Sequence, residues 1–470
     1  MNNQDNSWKA LLSGSNGIKT IALAGGVGLH AINVFLATTI LPSVVRDIGG
    51  LEFFSWNTTL FVTASIIGSV LSVRLLSNKG PRNAYQLSIV VFSVGTLFCS
   101  LAYSMPTMLI GRFIQGLGGG FLFALSYSMI RLVFEEILWP RAMALVSGMW
   151  GIAALSGPFI GGIFAEFGVW RFSFGSILFI SASLFFVVSK IFPKYHANDQ
   201  LTPSPPILKL VVLTLATLFV SIGSLTENLV ITVIGVLVSI LLILLLVKLE
   251  KNSTNRILPH KSYLLSSNLG ATYAAMSFLA AATAVEIYIP YFLQEIHHYS
   301  PLEAGYLTII MALGWTGASI LFSGSSYQKI IKIWHIGPLL MTTGLFSLAF
   351  VMPNTSIPFS LSLALICISL TCIGGGIGMG WPHFLTKALS SAMKGEEDQA
   401  AASLTAVQLI ATAFGAAFTG LITTLAGINN IAEIEGAKNA AFFLFSIFAF
   451  LPLVTLLVVR KYLAKKKDTV

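Results

Sequence analysis

From residue 18 to residue 460 the chain is a succession of apolar runs about 20 residues long, parted by short polar stretches. A run of that length crosses a hydrocarbon core of about 30 Å as a helix. In lipid no water satisfies the backbone, so helices are the form that such runs take. We read spans at 18–42, 55–76, 84–104, 107–130, 142–164, 173–192, 207–225, 229–248, 267–293, 303–324, 334–352, 358–381, 400–427 and 438–460. The expected fold class is an all-α polytopic membrane protein with 14 transmembrane helices. Charged residues make up 10% of the chain, against about 25% in soluble domains. The polar start MNNQDNSWKALLSGSNGIKT has no short apolar region before a small-residue cleavage site, so the first span is expected to act as an uncleaved anchor.

Charge placement orients these spans. With the N-terminus in the cytoplasm, nearly all of the 27 lysines and arginines fall on the cytoplasmic side. Only Arg46, Arg171 and Lys438 lie outside, and Arg112 alone lies well inside a span, away from its ends. That asymmetry is the positive-inside pattern, and it places both termini in the cytoplasm. The formal net charge of +9 thus reflects topology and implies no nucleic-acid partner. The Lys465-Lys466-Lys467 run is expected to hold the last helix against anionic lipid. Cys99, Cys367 and Cys372 sit in apolar segments without metal-ligand spacing, so neither a metal site nor a disulfide framework is expected. No cofactor or ATP-binding signature is present, no nucleophile elbow suggests an enzyme, and a monomer is expected.

The chain repeats itself. Ile40-Leu41-Pro42 followed by Asp47-Ile48 reappears as Tyr288-Ile289-Pro290 followed by Glu295-Ile296. Small basic loops follow at matching places, Ser77-Asn78-Lys79-Gly80 and Ser325-Ser326-Tyr327-Gln328-Lys329. A glycine cluster then recurs, Gly116-Leu117-Gly118-Gly119-Gly120 against Gly374-Gly375-Gly376-Ile377-Gly378. The expected organisation is a cytoplasmic tail (1–17), a six-helix bundle (18–192), a linker carrying two inserted helices (193–266), a second six-helix bundle (267–460) and a basic tail (461–470). Repeats of this kind underlie alternating-access transporters.

Three groups stand out within the spans. Glu286 is the one carboxylate deep inside an apolar stretch, where insertion costs of order 2.5–3.5 kcal/mol. Burial favours the neutral form of a carboxyl group and a nearby cation favours the charged form. One such group can exchange a proton for a positively charged substrate, although a structural carboxylate bonded to a neighbouring helix is the alternative. Arg112, with Gln115 one turn away, either bonds carbonyls of the first span or takes part in proton transfer. His30 lies on the same face as Asn33, and either packs or titrates. In the fifth span, Gly157 and Gly161 make a small face for close helix contact, and Pro158 removes a backbone donor.

Three stretches resemble the major facilitator superfamily, in its fourteen-span drug:proton antiporter branch. Leu109-Ile110-Gly111-Arg112-Phe113-Ile114-Gln115-Gly116 looks like the fourth-span motif. GMWGIAALSGPFIGG, which holds Gly148, Gly151, Gly157, Pro158, Gly161 and Gly162, is similar to the antiporter motif, and Trp170-Arg171 to the segment that opens the sixth span. Two positions depart from the pattern. In the inner-loop motif with Gly80 and Arg82, Ser77 stands where the family has aspartate, and Asn33 stands where the first span usually offers an acid. The resemblance implies proton-coupled efflux of amphiphilic or cationic compounds across a bacterial inner membrane. It implies a proton-transfer role for Arg112; with Glu286 and His30 this makes the expected proton-coupling set, and Asn33, Gln115 and Glu286 are expected at the substrate cavity. Transport of a specific metabolite or siderophore-like molecule, or a non-transporting sensor, are the competing readings.

Overall fold

The structure is a computed structural model and describes residues 8–192, 206–226, 228–251, 253, 256–393, 396–429 and 434–463. The linker stretch 193–205 and the Lys465-Lys466-Lys467 tail lie outside them. Helices follow one another along the chain: α1 (Trp8–Leu12), α2 (Gly14–Ile48), α3 (Trp56–Ser100), α4 (Met105–Val133), α5 (Trp139–Glu166) and α6 (Arg171–Ile191). Then come α7 (Ile207–Ile222), α8 (Leu229–Lys251), α9 (Asn268–Ala282), α10 (Ile289–Glu295), α11 (Pro301–Phe322) and α12 (Tyr327–Val351). The last are α13 (Phe359–Ser390), α14 (Glu397–Leu425), α15 (Ile434–Phe448) and α16 (Phe450–Val458).

Among the described residues, 13 helical segments are long and apolar enough to cross a membrane. One of them, Leu51–Ser100, runs for 50 residues. A straight helix of that length would extend roughly 75 Å, far beyond one hydrocarbon core. Gly80 interrupts it with φ 72° and ψ 169°, a conformation glycine adopts without a Cβ penalty, and Pro81 follows. The segment therefore holds two spans, which restores the fourteen read from the sequence.

The chain forms two compact units, Met1–Gly50 with Leu60–Pro205, and Leu51–Thr59 with Pro206–Val470. In the first unit, the glycines of α4 let it lie directly on α3. A Cβ at Gly116 would strike the backbone of Phe61, and one at Gly120 the backbone of Ser65. Ser65 Oγ donates to the Gly116 carbonyl oxygen at 3.0 Å and Ser69 Oγ to that of Gly120 at 3.2 Å. The second unit repeats the device. Gly374 and Gly378 of α13 lie on the backbones of Met311 and Trp315 in α11, and Ser319 Oγ donates to the Gly378 carbonyl at 3.0 Å. The duplicated glycine clusters thus do the same work in both halves.

The two helices expected as an insert, α7 and α8, fall within the second unit. Val220 of α7 packs with Ala417 and Leu421 of α14, and Thr424 Oγ1 donates to the Ser224 carbonyl at 3.0 Å. At the other end of the pair, Lys209 Nζ meets Glu250 Oε1 at 2.6 Å, with side chains 8% and 0% exposed. The Glu250 carboxylate also accepts the backbone N–H groups of Ile257 and Leu258 and the Tyr263 hydroxyl. The connection from α8 to α9 is therefore folded around a buried acid. Burial, with that carboxylate beside it, holds the Tyr263 phenol well above its ordinary range. Breaking such a pair from one side leaves an uncompensated buried charge. Lys209→Met is expected to destabilise the protein by ~3 kcal/mol, read as a lower Tm of the detergent-solubilised protein.

Candidate functional site

Two groups of polar side chains stand out, one in each unit. In the first unit α4 supplies Arg112, whose burial is nearly complete. Its Nη1 donates to Gln115 Oε1 at 2.7 Å, and Gln115 Nε2 donates to Thr96 Oγ1 of α3 at 2.8 Å. The guanidinium carbon lies 4.2 Å from the centroid of Phe61, a cation–π contact that strengthens when desolvated. Phe61 also touches His30 of α2, ring centroids 5.3 Å apart, and Phe123 and Trp150 complete an aromatic box at 5.3 and 5.9 Å. Space for the imidazole comes from Gly119, where a Cβ would stand 2.8 Å from His30 Nδ1.

Asn33 shares this face of α2. It is fully buried, and neither amide atom has a hydrogen-bond partner among the described residues. An amide in that position costs about 1–3 kcal/mol relative to a bonded one, so its partner is not supplied by this arrangement of the unit. Asn33 and Gln115, both expected at a substrate cavity, have no exposed surface here. Gln115 instead joins Arg112 to Thr96.

The fifth-span motif serves α2. A Cβ at Gly157 would approach Phe35 Cβ to 2.7 Å and the Ile32 carbonyl oxygen to 2.9 Å, and one at Gly161 would approach Ile40 to 3.0 Å. Gly162 is buried, whereas a side chain at Gly148 or Gly151 would meet open space. Pro158 sits inside the helix. In the loop motif, Gly80 makes the break in α3, Ser77 Oγ turns back to the Arg74 carbonyl at 3.1 Å, and Arg82 is half-buried. The Trp170-Arg171 pair has a partner that the motif did not name. Trp170 Nε1 and Arg171 Nη1 both donate to Asp47 Oδ2, at 3.1 and 2.6 Å, and Arg171 Nη2 donates to the Ala102 carbonyl at 2.8 Å. The signal for Asp47 was its place in the internal repeat.

In the second unit, the span expected to run unbroken over 267–293 is interrupted. α9 stops at Ala282, Thr283–Ile287 winds as a 3₁₀ turn, and α10 resumes at Ile289. Pro290, within the first turn of α10, has no N–H for an α-helical bond back into that turn. Glu286 lies in the tighter segment, half-buried, with no hydrogen bond or ion pair among the described residues. Its neighbours fix it on both sides. Ala281 and Ala284 lie against Gly415 of α14, while Tyr288 stacks on Phe292 with centroids 5.8 Å apart. A 3₁₀ stretch within a helix often marks a hinge, and here it carries the charge.

Residues 23–416 match the Major Facilitator Superfamily. A probable multidrug-efflux transporter of Mycobacterium tuberculosis is 34% identical over 442 residues, covering 92% of this chain and 93% of its own. The multidrug efflux pump SdrM of Staphylococcus aureus is 25% identical, covering 74% and 78% respectively. Among solved structures, a D-xylose-proton symporter shares the fold with a TM-score of 0.66 at 16% identity, covering 96% of this chain and 98% of its own. This chain belongs to the Major Facilitator Superfamily, as its motifs implied, and is a multi-pass membrane transporter.

Removing the central link of the first group tests its geometry. Gln115→Leu takes away both the acceptor for Arg112 and the donor to Thr96, inside a site where hydrogen bonds to charge are worth about 1.5–3 kcal/mol each. The expected result is a lower Tm, by several degrees, with the helical circular dichroism retained.

Proposed function

We propose that the protein exports amphiphilic, cationic compounds across the inner membrane of a bacterium in exchange for protons, by alternating access, with both termini in the cytoplasm. The observation that carries this reading is Glu286: a carboxylate within a membrane span, on a 3₁₀ break, with no partner among the described residues. A structural carboxylate would be bonded to a neighbouring helix. An acid left without a partner answers to what arrives from outside, and a cation and a proton are the two species that satisfy it. The multidrug efflux named for the mycobacterial and staphylococcal relatives supports the direction and a drug-like cargo.

In this mechanism Glu286 binds a proton when the site faces outward. A cation entering from the cytoplasmic side or the inner leaflet displaces that proton, and the loaded protein reorients to release its cargo outside. Arg112 acts in the first unit through Gln115 and Phe61. In this reading His30 takes part in proton coupling, and Asn33 lends its unpaired amide to the cargo.

Proton displacement gives a direct measurement. Adding ethidium to the purified wild-type protein in weakly buffered detergent solution is expected to acidify the medium, up to about one proton per protein. Glu286→Gln is expected to release none and to lose at least tenfold in proton-driven ethidium efflux from cells, with normal expression. Equal proton release by both proteins would remove Glu286 from the coupling step.

A further inference from the structure

The second half of α3 and α6 run antiparallel, both within the first unit, and polar contacts tie them at three levels. Gln86 Nε2 donates to Ser189 Oγ at 2.7 Å, the Ser93 and Ser181 hydroxyls bond each other at 2.8 Å, and Ser100 Oγ donates to the Arg171 carbonyl at 3.2 Å. Between the ties the helices do not close. A groove of about 360 Å³ runs from Ile89 and Phe186 to Leu97 and Leu178, a helix length of roughly 12 Å. Side-chain size explains it: Leu178, Ala182 and Phe186 follow one another down one helix face, and the smallest of them falls in the middle. Ser93 is the one polar lining residue, and its hydroxyl is engaged with Ser181. Phe92 and Gly95 turn the other face of α3 onto α4, and Leu184 turns the other face of α6 onto α2. The groove lies on the side away from both, where Val90, Val94, Leu97 and Phe186 are exposed.

Charge gathers at one end of the groove. Arg82 stands one turn before Gln86, and Lys190 directly follows Ser189. Neither has a hydrogen bond or ion pair among the described residues, and the stretches 74–90 and 180–192 contain no Asp or Glu. At the other end, Arg171 is already paired with Asp47 at 2.6 Å. We propose that the groove seats one acyl chain of an anionic phospholipid, with the lipid phosphate on Arg82 and Lys190. Binding of this lipid depends on the membrane-spanning fold and not on proton coupling. Shape holds the chain, since a lipid tail gains nothing by exchanging one apolar neighbour for another. The cations make the selection, because each Lys or Arg at a membrane surface adds attraction for an anionic head. The spacing suits one molecule. Lys190 lies one turn beyond the groove and Arg82 two turns, roughly 6–10 Å along the helices. The interfacial layer between phosphate and hydrocarbon is of similar depth, about 5–8 Å. The cationic cargo proposed above is repelled by the same two charges, so the groove is not a cargo site. A seated lipid bridges α3 and α6 as a further tie.

The test titrates the delipidated, full-length protein with phosphatidylglycerol, or with phosphatidylcholine of the same chains, and counts bound lipids by native mass spectrometry. The first phosphatidylglycerol is expected to bind at a concentration about tenfold lower than the first phosphatidylcholine. Arg82→Gln with Lys190→Gln is expected to abolish that preference. Lys329→Gln with Lys332→Gln, an equal loss of charge in the second unit, is expected to keep it. Ala182→Phe fills the groove from an exposed position and leaves both cations, and is expected to weaken the first phosphatidylglycerol at least fivefold. Equal binding of the two lipids overturns the seat. So does a preference that survives the change at Arg82 and Lys190, or one that is lost equally at Lys329 and Lys332. Undiminished binding to Ala182→Phe takes the chain out of the groove and overturns it as well. Inorganic phosphate or ethidium, at the lipid's concentration, is expected to leave the first lipid in place. Displacement by phosphate would make this a free-anion site, displacement by ethidium a cargo site, and either result overturns the lipid. None of these readouts depends on flux, so their failure leaves the efflux reading standing.

Discussion

Two helix contacts with almost no side chain between them organise this molecule: α4 on α3, and α13 on α11. Lipid tails are as apolar as leucine, so helices in a bilayer gain nothing from burying apolar surface against one another. They associate through close packing and hydrogen bonds, and both demand that backbones come near. Gly116 and Gly120 in one unit, Gly374 and Gly378 in the other, meet that demand, and a serine hydroxyl seals each contact. The chemistry is placed as a by-product. Arg112 stands one turn before Gly116 and so comes to rest over Phe61. Gly119, on the neighbouring face, leaves the hollow that His30 fills.

The two halves are alike in packing and unlike in continuity. α2 runs unbroken through Pro42, whereas its counterpart is cut at Thr283–Ile287 just before Pro290. In α2 the hydroxyls of Thr38 and Thr39 bond back to the Phe35 carbonyl, each at 2.9 Å, and the helix absorbs its proline. The second half has an acid instead of hydroxyls at that level, and the backbone tightens into a 3₁₀ turn. Rigid contacts and one soft, charged turn are therefore separated along the chain. A transporter needs both, since bodies that move as units require a place where movement is registered.

Most of the fold was legible in the sequence because its signals are long or repeated. Apolar runs mark the spans, and the glycine clusters mark which helices touch. Gly80 resolves the one case where two spans merge into a single helical segment. What escaped was pairing over distance. Nothing in the local sequence joins Lys209 to Glu250, or Trp56 to Ser221 and Ser224, because each lies in an unremarkable stretch and finds its partner only in three dimensions. The break at Glu286 had a local cue in Pro290, but the alanine-rich run before it reads as an uninterrupted helix. Asn33 and Gln115 illustrate a different limit. Their positions follow from helical periodicity, while their burial depends on how neighbouring helices close around them.

The Lys209–Glu250 pair also bears on how the chain is made. α7 leaves the ribosome with a lysine in its first turn that ends up buried, and its counter-charge is still dozens of residues from being synthesised. Glu250 meets it only once α8 has emerged, and a buried charge is stable where it is paired. The two helices must therefore settle into the membrane as a hairpin, with α8 completing the neutralisation that lets α7 stay. The pair of helices thus carries its own counter-charge, and its packing is complete only when both are in place.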